Sequence, residues 1–306
     1  MLLPLGFLGG GGAIPLQLLL IAGGGSGGKH DANGGNSTSV PGGGGAGGMF
    51  EATTGNYFFT PGQTYSLVIG AGGAGVGTRN ANGNPGSNST LQFHTVSGDI
   101  GTKTTKTVYG GGRGALDSTG GSGGSGGGAG WNSNNTPSGG AVITAGEGNV
   151  GGNIISDVAS DGKAGGGGGG ASAAGGNQSL VSPNGGPGGN GRASAITGTT
   201  YAGGGGGAGN VTNGLVPGGT GGGTPGAFTN SSQTSVAANT GSGSGSLRSP
   251  NSSSSTSGNG GSGVAAIKYP ASYPPLTITP STAASGGTPV GGFRTYIFTA
   301  SATIGV

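Results

Sequence analysis

Apolar residues in this chain are gathered into a few short blocks, and their pattern predicts strands. Residues 14–22 (IPLQLLLIA), 56–69 (NYFFTPGQTYSLVI), 89–96 (STLQFHTV) and 264–269 (VAAIKY) are apolar or β-branched and are punctuated by Gly, Pro or Asn. The 56–69 block contains Pro61 and Gly62, a turn pair, and reads as a hairpin of two short strands. Weaker blocks lie at 103–109, 141–145, 153–158 and 195–201. A last block, 293–300, holds Phe293, Thr295, Tyr296, Ile297 and Phe298 and is the strongest strand signal of the C-terminal part. No stretch shows a capped 3.6-residue apolar period, so helix content is expected to be close to zero.

Between these blocks the chain is neither apolar nor charged, because it is glycine. Glycine supplies 87 of 306 residues, with unbroken runs at 42–45, 165–170 and 203–207. Such runs have no side chain to bury and little propensity for helix or strand. They form either a disordered tether or a body held by backbone packing. Charge favours the second. Only 6% of residues are charged and the net charge is +3, whereas disordered chains usually stay soluble through high net charge.

Ordering costs about 1–2 kcal/mol per residue, and a net hydrogen bond returns only about 0.5–1.5 kcal/mol. Glycine tracts therefore need close neighbours or an anchoring base. Polyproline II geometry offers the neighbours, since it has three residues per turn and directs every N–H and C=O outward. A collagen register is absent, with no sustained Gly-X-Y and only 16 prolines.

The expected fold is all-β and irregular: a small antiparallel β-sandwich base carrying a glycine-rich, polyglycine II-like body, with almost no α-helix. Residues 1–110 form the base, 111–263 the body and 264–270 a closing strand of the base. Residues 271–292, with Pro274, Pro275, Pro280 and Pro289, read as a semi-extended linker. Residues 293–306 are a terminal strand.

Chemistry enters mainly by exclusion. Cysteine is absent and the two histidines, His30 and His94, lie far apart without paired carboxylates, so no metal or triad constellation is predicted. Residues 23–30 (GGGSGGKH) follow a strand and match a phosphate-loop spacing, but His30 replaces the metal-binding hydroxyl and no helix can start at 31–35. Asp157 and Asp161 lack a calcium-repeat context and read as solvated loop charges. Lys and Arg are scattered singly, which leaves no nucleic-acid footprint. No stretch approaches the roughly 20 apolar residues of a membrane span. Residues 1–8 (MLLPLGFL) lack a positive start and are broken by glycine at 9–12, so they read as a buried strand or interface peptide rather than a cleaved leader. No enzyme activity and no cofactor are expected.

Four strand-plus-glycine motifs resemble a known family. Residues 17–25 (QLLLIAGGG), 62–73 (GQTYSLVIGAGG), 200–207 (TYAGGGGG) and 260–270 (GGSGVAAIKYP) are similar to the glycine-rich domain of bacteriophage tail-fibre and other virion structural proteins. The resemblance spans about 14–270. It implies a β-rich base, a glycine body, no catalysis and a role in virion structure or host attachment. In related adhesins the body is a sandwich of polyglycine II helices whose loops touch the host. In the family a segment resembling 296–303 (YIFTASAT) precedes the first core strand, whereas here it lies at the C-terminus.

That displaced segment has two partners open to it, its own sheet or the next subunit's by strand addition. Phe293, Thr295, Tyr296, Ile297 and Phe298 are the expected assembly residues. Trp131, Asn132, Asn134 and Asn135 are the candidate host-contact residues, with Trp131 alternatively capping the glycine stack; the loops at 131–136 and 230–257 would carry such contacts. The expected partners are further copies of the chain, other virion proteins and a host surface glycan or receptor, without nucleic acid or membrane insertion. The expected location is the virion surface, with a cell-made extracellular filament as the alternative.

Overall fold

The computed structural model describes residues 12–31, 39–132, 135–156, 163–179, 184–209, 214–250 and 254–306. The apolar start at 1–8, Asn134, Asp157 and Asp161 lie outside the described residues. The fold is nearly all β. The only helical turn among the described residues is a 3-10 turn at Ser281–Ala283.

Two five-stranded antiparallel sheets make the base. The strands, in chain order, are β1 (Ile14–Ile21), β2 (Lys29–Asp31), β3 (Ser39–Val40), β4 (Met49–Phe59), β5 (Thr64–Val68), β6 (Ser89–Phe93), β7 (Thr104–Val108), β8 (Trp131–Asn132), β9 (Arg192–Ala193), β10 (Thr200–Tyr201), β11 (Leu215–Val216), β12 (Gly226–Phe228), β13 (Leu247–Ser249), β14 (Val264–Pro270), β15 (Thr277–Thr279), β16 (Ala284–Gly286), β17 (Phe293–Phe298) and β18 (Ala302–Gly305). One base sheet runs β16-β17-β14-β1-β4 and the other β15-β18-β5-β6-β7. Their facing side chains form one core, with Leu16, Leu18 and Leu20 of the first sheet against Tyr65, Leu91 and Ile304 of the second. The opposite face of β1 is also covered, because Leu19 and Ile21 pack on Ala46, Ile196 and Tyr201 from the body. Burial on both faces is why β1 reads as an unbroken apolar run rather than an alternating one.

Two expectations need correction, and one alternative left open closes. The turn at Pro61 and Gly62 is present, with Gln63 N–H donating to Thr60 O at 3.2 Å and Gly62 at φ 77°. It does not close a hairpin, however: β4 and β5 belong to different sheets. Phe59 and Tyr65 stack 4.2 Å apart inside the core, so the turn is an arch from one sheet to the other. The expected linker at 271–292 is instead part of the base, supplying β15 and β16. The terminal segment pairs within its own chain. β17 lies between β14 and β16, and β18 between β5 and β15, so neither is left with an open edge for a second subunit.

The body is a hydrogen-bonded lattice of glycine tracts. In residues 41–48, Gly42 and Gly45 donate to Ala115 and Gly112, Gly43 and Ala46 to Gly166 and Gly169, and Gly44 and Gly47 to Ser244 and Gly241. The partner changes with each residue and returns every third, which is the repeat of a polyglycine II helix. The carbonyls keep the same period. Gly42, Gly45 and Gly48 accept from Gly28, Gly25 and Ala22; Gly43 and Ala46 accept from Gly128 and Ser125; Pro41 and Gly44 accept from Ala208 and Gly205. Tract 41–48 thus has six neighbours, and tracts 22–28 and 165–170 are surrounded in the same way.

These three tracts form a central row. On one side, 110–116 bonds to both 22–28 and 41–48, and 124–130 to both 41–48 and 165–170. On the other side, 241–247 and 203–208 make the equivalent bridges. The result is three layers in hexagonal packing. Glycine is required for a steric reason: an added Cβ would lie 2.3 Å from Gly25 O at Gly44 and 1.9 Å from Gly44 O at Gly168.

Serine and asparagine complete the lattice where backbone partners run out. Ser244 Oγ accepts from Gly27 N–H at 3.1 Å and donates to Gly258 O at 2.6 Å, while Ser246 Oγ donates to Pro41 O at 2.8 Å. At the rim, Asn carboxamides take the place of absent tracts. Asn153 Oδ1 accepts from Gly139 N–H, Asn177 Oδ1 from Asn153 N–H, and Asn88 Oδ1 from Gly110 N–H, at 2.8, 2.8 and 2.9 Å.

Candidate interaction site at the far end of the body

The tracts alternate in direction, so their connections gather at two ends. One end abuts the base: Arg192 Nη2 donates to Met49 O at 2.6 Å, and Lys106 pairs with Glu147 at 2.6 Å. The other end lies about 20 Å along the tracts, at roughly 3.1 Å per residue. It carries the described turns around 80, 117 and 230 and the segment ends at 31, 131, 156, 178 and 250, tied together by the short pairings β3–β8 and β11-β12-β13-β2. This far end is where the expected host-contact residues fall.

Trp131 does not face solvent there. It is fully buried with Val40, Ala129, Ile154 and Ala208, and its indole N–H donates to Ser156 O at 3.0 Å. Lys163 Nζ sits 5.6 Å from the ring. β3 and β8 pair Val40 with Trp131, so the side chain closes the end of tracts 41–48 and 124–130. A fully desolvated indole with its N–H satisfied cannot serve as a contact in this conformation. The host-contact expectation for Trp131 is therefore corrected to the stack-capping role. Asn132 is held as well, its Nδ2 donating to Asp117 O at 2.6 Å. Asn135 bridges to Asn132 and is exposed.

The phosphate-loop lookalike is likewise spent on structure. The amides of residues 23–28 donate to Ser87, Gly261, Gly45, Asn84, the Ser244 hydroxyl and Gly42, which leaves no cradle for an anion. Lys29 is buried, donates to Gly77 O at 3.0 Å and lies 3.5 Å from Asp31, which also pairs with Arg79 at 3.2 Å. Beside it, His30 and Arg248 are paired in register between β2 and β13. Burial, then the Arg248 charge, hold the His30 imidazole down to about 4, with Asp31 opposing. Burial also lowers Arg248 to about 10. This ionic cluster replaces glycine packing where the tracts end, and sequence gave only a weak sign of it in the adjacent letters Lys29, His30 and Asp31.

Among the described residues no cluster of His, Cys, Asp or Glu is arranged to hold a metal ion, and no helix is long and apolar enough to cross a membrane. The expected assembly residues Tyr296 and Phe298 point into the sandwich core, while Ile297 packs on the body-facing cluster. None of the three is presented to a partner by this arrangement.

No curated protein is similar enough to the chain to count as a match. A family model for a glycine-rich domain matches residues 9–270, from before β1 to the end of β14. The match covers the first strand, every tract of the lattice and the closing strand, and the chain belongs to this glycine-rich domain family.

Proposed function

We propose that this protein is a non-catalytic structural component of a bacteriophage virion, on a tail fibre or the capsid surface. Its sandwich is the mount and its glycine body a stiff spacer that holds turns away from the particle. The observation that carries this reading is the lattice itself. Tracts with six neighbours and a three-residue hydrogen-bond period make a rigid block, with the base at one end and connections at the other. The likeness of four motifs to virion proteins supports the setting. Two features favour display over polymerisation: β17 and β18 are closed within the chain, and Asn side chains blunt the lattice rim. Assembly with other virion proteins then runs through the base rather than through a donated strand.

Antibody labelling of purified particles tests the proposal. Label at the tail tip or over the capsid is the expected result. Label confined to filaments free of virions would overturn it in favour of a cell-made extracellular fibre.

A further inference from the structure

We propose that a recess at the far end of the body, beside Leu215 and Phe228, is a binding site for a neutral carbohydrate. The recess has a volume of about 360 Å³, at the small end of the roughly 300–1,000 Å³ typical of ligand sites. Leu215, Pro225 and Phe228 give it an apolar wall, and Thr229, Ser232 and Gln233 a polar rim.

Leu215 is 68% exposed on β11, the edge strand of the β11-β12-β13-β2 sheet. Its side chain is therefore accessible to a ligand that enters the recess. Phe228 is itself buried, 9% exposed, with the Arg248 guanidinium 4.8 Å from its ring, so it forms the floor of the recess rather than an open face. A floor held by burial keeps the recess in shape, at low entropic cost to a ligand.

The rim is partly committed and partly open. Ser232 Oγ accepts from Thr256 N–H at 3.0 Å and Thr229 Oγ1 from Ser231 N–H at 3.2 Å, which anchors the turn. The half-buried Gln233 fixes its backbone through Thr256 O, while its carboxamide makes no protein hydrogen bond among the described residues. It offers two donors and an acceptor to whatever enters. No residue lining the recess is ionisable.

A pyranose ring matches this chemistry. It presents a C–H face to apolar side chains such as Leu215 and Pro225 and an edge of hydroxyls to amides and hydroxyls, without charge. An anionic sugar or phosphate would find no counter-charge, and a wholly apolar ligand would leave the Gln233 carboxamide unpaired. The inference rests on the display reading only for where such a sugar comes from, a host surface polysaccharide met by the far end.

Chemical-shift mapping of the full chain with glucose, galactose and N-acetylglucosamine, against glucuronic acid as the charged control, tests the site. A screen of neutral oligosaccharides extends it. The expected result is perturbation centred on residues 215, 228 and 233 by at least one neutral sugar. Leu215→Glu and Gln233→Ala, with wild-type melting temperatures, should each bind it about tenfold more weakly. Silence toward every neutral sugar, perturbation mapping elsewhere, binding unchanged in both variants, or binding only to a sugar-free host protein would overturn the site. A sugar-binding chain missing from virions would overturn the virion reading alone, and a virion component with a silent recess this one alone.

Discussion

At the scale of single residues, space rather than conformation decides which glycines matter. Gly168 sits in the central row, where an added methyl would meet the Gly44 carbonyl oxygen at 1.9 Å, while nothing lies within 4 Å of a methyl added at Gly12. Gly168→Ala should cost roughly 3 kcal/mol or more. Gly12→Ala should stay within about 0.5 kcal/mol. Thermal unfolding of the two variants checks the contrast, and equal melting temperatures would contradict the packing. His30 gives a second residue-level test. Its folded value of about 4 lies below the ordinary 6.5, so between these pH values the unfolded chain binds the extra proton. His30 should therefore contribute no pH dependence above about 6.5 and a loss of stability as pH falls from 6.5 toward 4. His30→Gln should flatten that part of the melting-temperature profile relative to wild type.

At the scale of elements, the terminal strands are structural members of the base. Phe298 is fully buried in the sandwich core, so Phe298→Ala should cost about 3–5 kcal/mol. Deleting residues 293–306 should leave no folded monomer by circular dichroism and size exclusion. A folded, monomeric deletion product would instead restore the donated-strand reading. Elements also show where sequence was and was not legible. The apolar blocks at 14–22, 89–96 and 264–269 declared their strands because both burial and β-branching act locally. The first seven residues of β4, 49–55 (MFEATTG), did not, since β4 is an edge strand whose register shifts against β1 between Leu16 and Leu18 and whose middle is exposed. The arch at Pro61 and Gly62 was legible as a turn but not as a crossing, because which sheet receives β5 depends on Tyr65 finding Phe59 inside the core. Trp131 was ambiguous for a similar reason: Val40, which pairs with it, is distant in sequence.

At the scale of the whole molecule, a chain with little side-chain core beyond its base is made solid by the backbone. Composition alone pointed to a packed body, and three-residue helices followed from glycine's geometry. The pairing of tracts did not follow, because identical runs at 42–45, 165–170 and 203–207 carry no register of their own. Register comes from the ends, where β1, β4 and β14 fix the tracts at the base, and from the serine and asparagine bonds within and around the lattice. A body built this way opens as one unit or not at all. Amide hydrogen exchange on the full-length chain measures that directly. Residues 43–47 and 165–169 should exchange only at the rate of global unfolding, while the exposed turn glycines Gly98 and Gly146, whose amides donate to nothing among the described residues, exchange freely. Complete exchange of the central tracts as fast as those turns would show a tether in place of a lattice and contradict the account.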